Sequence, residues 1–246
     1  PRPNHGGESA GDRLKPGRAR FLPGEYVVKI AAVCVVILVC VAGAGFAADT
    51  DGADAFEKML AGTRAGTAFA EFVDAHPEAR YSDEALRAAP VDKEAPGALL
   101  IVHTEDPFLG LYSFSNIGFK EGKLYEFVAV WKGNAKTVRG HCARFLAAVM
   151  KRHGREYTKK SMRVFPDSSE EQPVAVFFWE DAAAATLAFY TPPAAAETMD
   201  GPATLTYAQF TKGDPFLTDI FSNNAARPEK QEQVWRDIDD IVKALK

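Results

Sequence analysis

A histidine and an acidic residue two positions apart could bind a metal ion at the end of a predicted strand. His103 and Glu105 follow the apolar run 98–102, and alternate residues of a β-strand project from the same face. A metal site in a protein ordinarily needs three or four protein ligands at recognisable spacings. We therefore expect no metal and no cofactor here, and we interpret His103 and Glu105 as the polar end of a strand that runs into a turn.

The serines and cysteines do not form a recognisable nucleophilic motif. No serine lies in the glycine-flanked turn that carries the nucleophile of many hydrolases. Cys34 and Cys40 belong to an apolar run, so Cys142 is the one cysteine within residues 48–246. Cys142 stands in a helical repeat of apolar residues, which predicts a small buried side chain rather than a reactive thiol. The sequence therefore favours a non-enzymatic protein.

Basic residues are concentrated between Lys136 and Arg163. This stretch holds nine basic side chains and one acidic side chain, whereas residues 48–246 as a whole carry 23 basic and 30 acidic side chains. A positive face on a negatively charged protein could dock an anionic envelope component or an acidic protein; the net charge disfavours nucleic acid as a partner. The alternative is a solvated surface, whose charges could pair with Asp167, Glu170 and Glu171 nearby. The candidate partner-binding residues are Arg144, Lys151, Arg152, Arg155, Lys159 and Lys160.

Aromatic residues are more numerous in the predicted strands than one face of a small sheet requires. Most should fill the core, but some could line a pocket for an apolar ligand or a peptide. This possibility gives the alternative function, a small-ligand-binding or hydrolytic domain with His103 and Glu105 nearby. The candidate pocket residues are Tyr112, Phe114, Tyr125, Phe127, Trp131 and Trp179.

The apolar pattern predicts the elements that position these groups. A helix is expected over residues 135–153, where apolar residues recur with helical spacing before Gly154, and a second from Pro228 to about Leu245. Apolar runs and period-two alternation predict the strands. These strands are expected at residues 98–102, 111–119, 124–131, 174–179, 186–190 and 204–210.

The resulting order, β-β-β-α-β-β-β-α, indicates an α+β fold. Short turns between consecutive strands predict antiparallel neighbours. We therefore expect a domain over residues 97–246 with about six antiparallel strands and helices packed on one face of the sheet. Residues 48–96 carry two short apolar stripes followed by prolines, and we expect a helical N-terminal segment and a linker there.

An uncharged apolar segment, residues 30–48, lies between Lys29 and Asp49. Its basic flank, apolar centre and small residues Gly45 and Ala47 are typical of a secretory signal peptide, with cleavage after Ala47. Basic residues tend to stay cytoplasmic, which places the rest of the chain outside. Residues 29–47 are thus predicted to be a signal peptide, or alternatively a membrane anchor, because 19 residues are long enough to span.

Residues 1–28 are rich in proline, glycine and arginine and poor in large apolar residues. We expect this segment to be disordered, or to lie upstream of the true start of translation. The complete prediction is an exported protein, periplasmic or held at the envelope, whose domain docks an anionic partner through a basic helix face.

Overall fold

The computed structural model describes residues 52–94, 99–105, 108–164, 172–193, 200–223 and 225–245, all within one compact unit. The predicted upstream segment and export segment, residues 1–28 and 29–47, lie outside these described residues. In the described part of the chain, no helix has both the length and the apolar character needed to cross a membrane.

Helices and strands follow one another along the whole described chain. They are α1 (Gly52–Met59), α2 (Phe69–Ala75), β1 (Arg80–Tyr81), β2 (Leu99–Glu105), β3 (Tyr112–Lys120), β4 (Lys123–Asn134), α3 (Ala135–His153), β5 (Thr158–Val164), β6 (Gln172–Glu180), β7 (Ala184–Thr191), β8 (Pro202–Thr211), α4 (Pro215–Asn223), α5 (Pro228–Arg236) and α6 (Asp239–Ala244).

The strands form one eight-stranded sheet in the order β1-β2-β3-β4-β8-β7-β6-β5. Every neighbouring pair is antiparallel. Helix α3 carries the chain from β4 in the middle of the sheet to β5 at its edge. Strands β6, β7 and β8 then add one after another towards the middle, where β8 pairs with β4. The predicted α+β class and antiparallel sheet are confirmed, but the expected number of about six strands is wrong.

The two strands absent from the prediction are β1 and β5, and both lie at the sheet edges. Strand β1 has only two residues, too few to show an alternation. Strand β5 reads Thr-Lys-Lys-Ser-Met-Arg-Val, so its charged residues hide the apolar pattern of a strand. Lysines on an edge strand discourage pairing with another chain, which explains a basic sequence at this position.

The sheet is covered on both faces, so the expectation of helices on one face is also wrong. In β6, Phe177 belongs to the larger core cluster and Phe178 to the smaller one, and adjacent strand residues point to opposite faces. Helix α3 contributes to the larger cluster, whereas Leu217 and Ile220 of α4 contribute to the smaller one. Helix α4 therefore lies on the face opposite α3.

The predicted hairpin between β3 and β4 turns at Glu121 and Gly122, which both have positive φ angles, 54° and 72°. Such a pair of angles suits a two-residue hairpin turn. The pairing register shifts next to Gly118, with Tyr125 as the extra residue on β4. Leu124 consequently joins Phe127 in the larger core cluster, whereas regular alternation along the strand would place these two side chains on opposite faces.

Helix α3 begins where the Asn134 side chain accepts a hydrogen bond from the Thr137 amide at 2.8 Å, and it ends at Gly154, whose φ is 94°. Cys142 is 1% exposed on its buried stripe, as predicted. The final helix predicted from Pro228 to Leu245 is instead two helices, α5 and α6, separated at Asp237 and Ile238.

Candidate functional site

The residues of α3 divide into three stripes around the helix axis. At about 100° per residue, Lys151 and Arg144 lie roughly opposite the buried stripe centred near Cys142. An apolar shoulder of Ala143, Ala147 and Met150 lies between these cations and the core. Because these three residues are only half-buried or exposed, α3 presents a mixed apolar and cationic surface to solvent.

An open groove of about 580 Å³ runs along this surface. The apolar shoulder of α3 forms one wall and the end of α6 forms the other. We call it the basic groove. Its lining residues are Ala143, Arg144, Ala147, Met150, Lys151, Arg155, Ala244 and Leu245. The structure thus brings three of the six predicted partner-binding residues to one apolar depression.

The far wall of the basic groove is tied to α3 by an ion pair. Arg139 Nη2 donates to both carboxylate oxygens of Asp240, at 2.9 and 3.1 Å, and to the backbone carbonyl of Asp237 at 3.0 Å. This contact uses one guanidinium nitrogen, and the Asp240 side chain is 66% exposed, so it is a surface ion pair of modest energy. Helix α6 is held against α3 mainly by Ile241 and Val242, which belong to the same core cluster as the buried stripe of α3.

The cations of α3 differ in whether the protein itself neutralises them. Within the described residues, neither Lys151 nor Arg155 forms an ion pair, and both are exposed. Arg144 places its guanidinium carbon 5.6 Å from the ring centroid of Phe108, a cation–π distance. The groove therefore carries positive charge without a matching carboxylate on Lys151 and Arg155.

Arg152 is separate from the basic groove. It lies only about 70° from the centre of the buried stripe, and its Nη1 donates to Glu57 Oε2 of α1 at 2.5 Å. Its side chain is 13% exposed. The sequence grouped Arg152 with Lys151 as a candidate partner-binding residue, but the structure places it in a contact that joins α1 to α3.

The two lysines of β5 also lie apart from the groove, on opposite faces of the sheet. Lys159 Nζ is 4.8 Å from the ring centroid of Trp235 in α5. Lys160 Nζ is 4.1 Å from the ring centroids of Phe178 and of Phe221 in α4. Both ammonium groups lie against aromatic rings of helices that cover the sheet. The predicted six-residue surface is thus divided among three places.

The six aromatic candidates do not line a common pocket. Phe127, Trp131 and Trp179 belong to the larger core cluster, where Trp131 lies 5.3 Å from the ring of Phe145. Phe114 pairs with Val130 rather than with Trp131, which directs Phe114 and Tyr112 to the other face of the sheet. Tyr125 lies at the bulge, where its ring covers Gly118.

The imidazole of His103 contacts a tyrosine side chain. Its Nδ1 lies 2.8 Å from the hydroxyl oxygen of Tyr112. Burial, and secondarily the nearby Arg87 charge, lower the pKa of His103. The Glu105 side chain lies outside the described residues. Where side chains are described, no group of three or more His, Cys, Asp or Glu residues could hold a metal ion.

Sequence reasoning missed the apolar half of the basic groove. Ala143, Ala147 and Met150 recur at i, i+4 and i+7 beside the buried stripe, which is the signal that could have identified the shoulder. The far wall could not be found in this way because Ala244 and Leu245 are about 100 positions away in the chain. Only the tertiary fold brings them to α3.

Comparison of this chain with protein-family models, with curated proteins and with solved structures finds no match.

Proposed function

We propose that this protein is exported from the cytoplasm and docks an anionic partner of the cell envelope in its basic groove. The observation that carries this proposal is the groove itself, in which Arg144, Lys151 and Arg155 surround an apolar depression between α3 and α6. Docking of this kind needs no catalytic group and no cofactor.

The charge distribution supports an anionic partner. The full chain has a net charge of −4, yet Lys151 and Arg155 have no ion-pair partner within the described residues. Local positive potential on an acidic protein attracts anions selectively and orients their approach. An anionic partner would supply the carboxylate or phosphate groups that the described residues do not place beside these two cations.

The shape of the surface supports docking over a solvated helix face. Ala143, Met150 and Leu245 pack partly against the larger core cluster, and together with exposed Ala147 they leave a shallow apolar depression beside the cations. Burial of this apolar surface would add affinity to the electrostatic attraction.

Export rests on residues 29–47, whose basic flank, apolar centre and small-residue end match a signal peptide. An extracytoplasmic location would expose the groove to anionic components of the envelope. The uncleaved form would present the same groove from a membrane anchor. The proposal therefore includes both the periplasmic and the envelope-bound protein.

Charge reversal in the groove tests the proposal. Residues 48–246, either wild type or carrying Lys151→Glu with Arg155→Glu, are exported in the protein's own cells behind a signal peptide that is known to be cleaved, so that no anchor retains them. Washed envelopes are assayed by immunoblot at about 0.05 M and about 0.5 M salt. The wild-type protein should be retained at low salt and released at high salt, whereas the variant should be released at both.

The matched control is Lys120→Glu with Lys123→Glu, which changes net charge equally at two exposed lysines outside the groove. This control should behave as the wild-type protein does. Retention of the Lys151→Glu, Arg155→Glu variant at the wild-type level would show that the groove is not the docking surface.

A further inference from the structure

The basic groove has features that narrow the class of its partner. Beyond the proposed function, on which this inference rests, we infer that its occupant is an acidic amphipathic helix of a partner protein. Three properties carry the inference: the small side chains of the floor, the spacing of the rim cations and the rigid attachment of the far wall.

The floor permits a second helix to approach closely. Ala143 and Ala147 are one helical turn apart on the exposed shoulder of α3, and short side chains at a helix contact reduce the distance between the helix axes. Met150 continues the same stripe, and its flexible thioether adapts to different apolar neighbours. Apolar anchors of a partner helix, spaced at i, i+3 or i+4 and i+7, fit a floor of this form.

The rim cations match the repeat of a helix. Arg144 and Lys151 are seven residues apart, which corresponds to about 10.5 Å along the axis of α3. A partner helix lying beside α3 with acidic residues at i and i+7 would place a carboxylate opposite each of them. Arg155 also lines the groove, just past the end of α3. The apolar anchors and the acidic residues would then lie on adjacent stripes of the partner.

The preformed walls favour a helix over a planar headgroup surface. Ile241 and Val242 of α6 pack in the same core cluster as the buried stripe of α3, so the groove needs little ordering when a rigid partner enters. A flat bilayer surface could reach the cationic rim, but it would leave the interior between α3 and α6 in contact with water. An acidic polysaccharide would likewise gain no apolar contact with Ala147 or Met150.

Direct binding of designed probes tests the inference. The mature protein recovered from cells is titrated with a fluorescein-labelled peptide of about 20 residues that carries leucines at helical spacing and glutamates at i and i+7. A second peptide has the same composition in an order that removes this spacing. Vesicles of phosphatidylglycerol are the third probe. Fluorescence anisotropy measures the peptides, and co-sedimentation measures the vesicles.

The amphipathic peptide should bind at least about tenfold more tightly than the reordered peptide. Ala147→Trp, which fills the floor, and Lys151→Glu with Arg155→Glu should each weaken binding of the amphipathic peptide by at least about tenfold. The Lys120→Glu, Lys123→Glu control should bind as the wild-type protein does. Unchanged circular dichroism of the Ala147→Trp variant shows that its loss is local.

Equal affinity for the two peptides, no affinity for the amphipathic peptide, or an unaffected Ala147→Trp variant would each overturn the helix as occupant. Preferential binding of the vesicles would also overturn it and would identify headgroups as the partner. These outcomes leave anionic docking intact, because that proposal is tested separately by the effect of charge reversal on envelope retention.

Discussion

The imidazole of His153 places its Nε2 3.0 Å from the hydroxyl oxygen of Tyr207, joining the last turn of α3 to the middle of strand β8. Arg152 and Thr186 lie near enough to the Tyr207 hydroxyl to counteract part of the burial effect that raises its pKa, and Arg152 reaches Glu57 of α1. Tyr207 has 0% exposure. These contacts tie the end of α3, which supplies the Lys151 side of the basic groove, to β8 and α1.

The His153 contact predicts a pH-dependent stability. Burial, followed by the charge of Arg152, lowers the pKa of His153 from 6.5 to about 4, so the folded state favours the neutral imidazole. As pH falls below 6.5, the unfolded chain takes up the proton first. The contribution of His153 to the free energy of unfolding is therefore fully present above pH 6.5 and is lost progressively as the pH falls towards 4.

Between pH 6.5 and pH 4, we expect this group to lower the free energy of unfolding by about 2 kcal/mol. This is less than the whole pKa shift would give, because His153 is partly exposed to solvent. Urea unfolding at several pH values measures it as the difference in pH slope between the wild-type protein and His153→Gln. Parallel slopes for the two proteins across this range would show that His153 is not held neutral in the folded state.

The contact between Gly118 and Tyr125 predicts a steric cost. A Cβ at Gly118 would lie 2.8 Å from Cε1 of Tyr125, which is closer than side chains tolerate. Gly118→Ala should lower the free energy of unfolding by about 1–3 kcal/mol, as measured by urea denaturation. The same substitution should cost less when Tyr125→Ser has removed the ring.

Gly140→Ala is the matched control, because a Cβ there would meet no atom within 4 Å and the position is helical. It should raise stability by about 0.5–1 kcal/mol. A Gly118→Ala protein as stable as the Gly140→Ala protein would be incompatible with the close approach of Tyr125.

The burial of Cys142 predicts an inert thiol. Its side chain is 1% exposed, and desolvation raises its pKa to about 12, so the reactive thiolate is scarce. Iodoacetamide near pH 8, where an ordinary thiol is partly ionised, should leave the Cys142 peptide unmodified until urea is added. Mass mapping of that peptide measures the reaction, and rapid modification of the folded protein would contradict the buried position.

The export segment predicts a specific mature terminus. The soluble extracytoplasmic protein should begin at Ala48, because Gly45 and Ala47 satisfy the small-residue requirement before the cleavage point. Intact-mass analysis of the protein recovered from its own cells determines this terminus. A membrane-retained species that keeps residues 29–47 would instead identify the segment as an anchor.

The parts of the fold that follow from local pattern could be predicted from the sequence. Helical periodicity indicates helix α3, and turn-forming residues indicate the hairpin at Gly122. Strand β5 has no recognisable strand pattern, because Lys159, Lys160 and Arg163 occupy a sheet edge where charged side chains are tolerated. The break between α5 and α6 also has no glycine or proline at Asp237 and Ile238 to mark it.

The candidate site was predictable only on the side that α3 supplies. Helical spacing places Arg144 and Lys151 together, but it does not show that Arg152 is neutralised by Glu57 of α1. Nor does it show that Leu245 closes the groove. These relationships join residues about 95 to 100 positions apart and depend on how the helices pack on the sheet.

Photo-crosslinking from the floor of the basic groove tests the central claim most directly. A photoreactive diazirine analogue close in size to methionine is placed at Met150 in the floor and, as a control, at exposed Lys120. In living cells the Met150 position should form a crosslink to an anionic envelope component, and Lys151→Glu with Arg155→Glu should abolish it. The same crosslink from Lys120, or its persistence after charge reversal, would contradict docking in the basic groove.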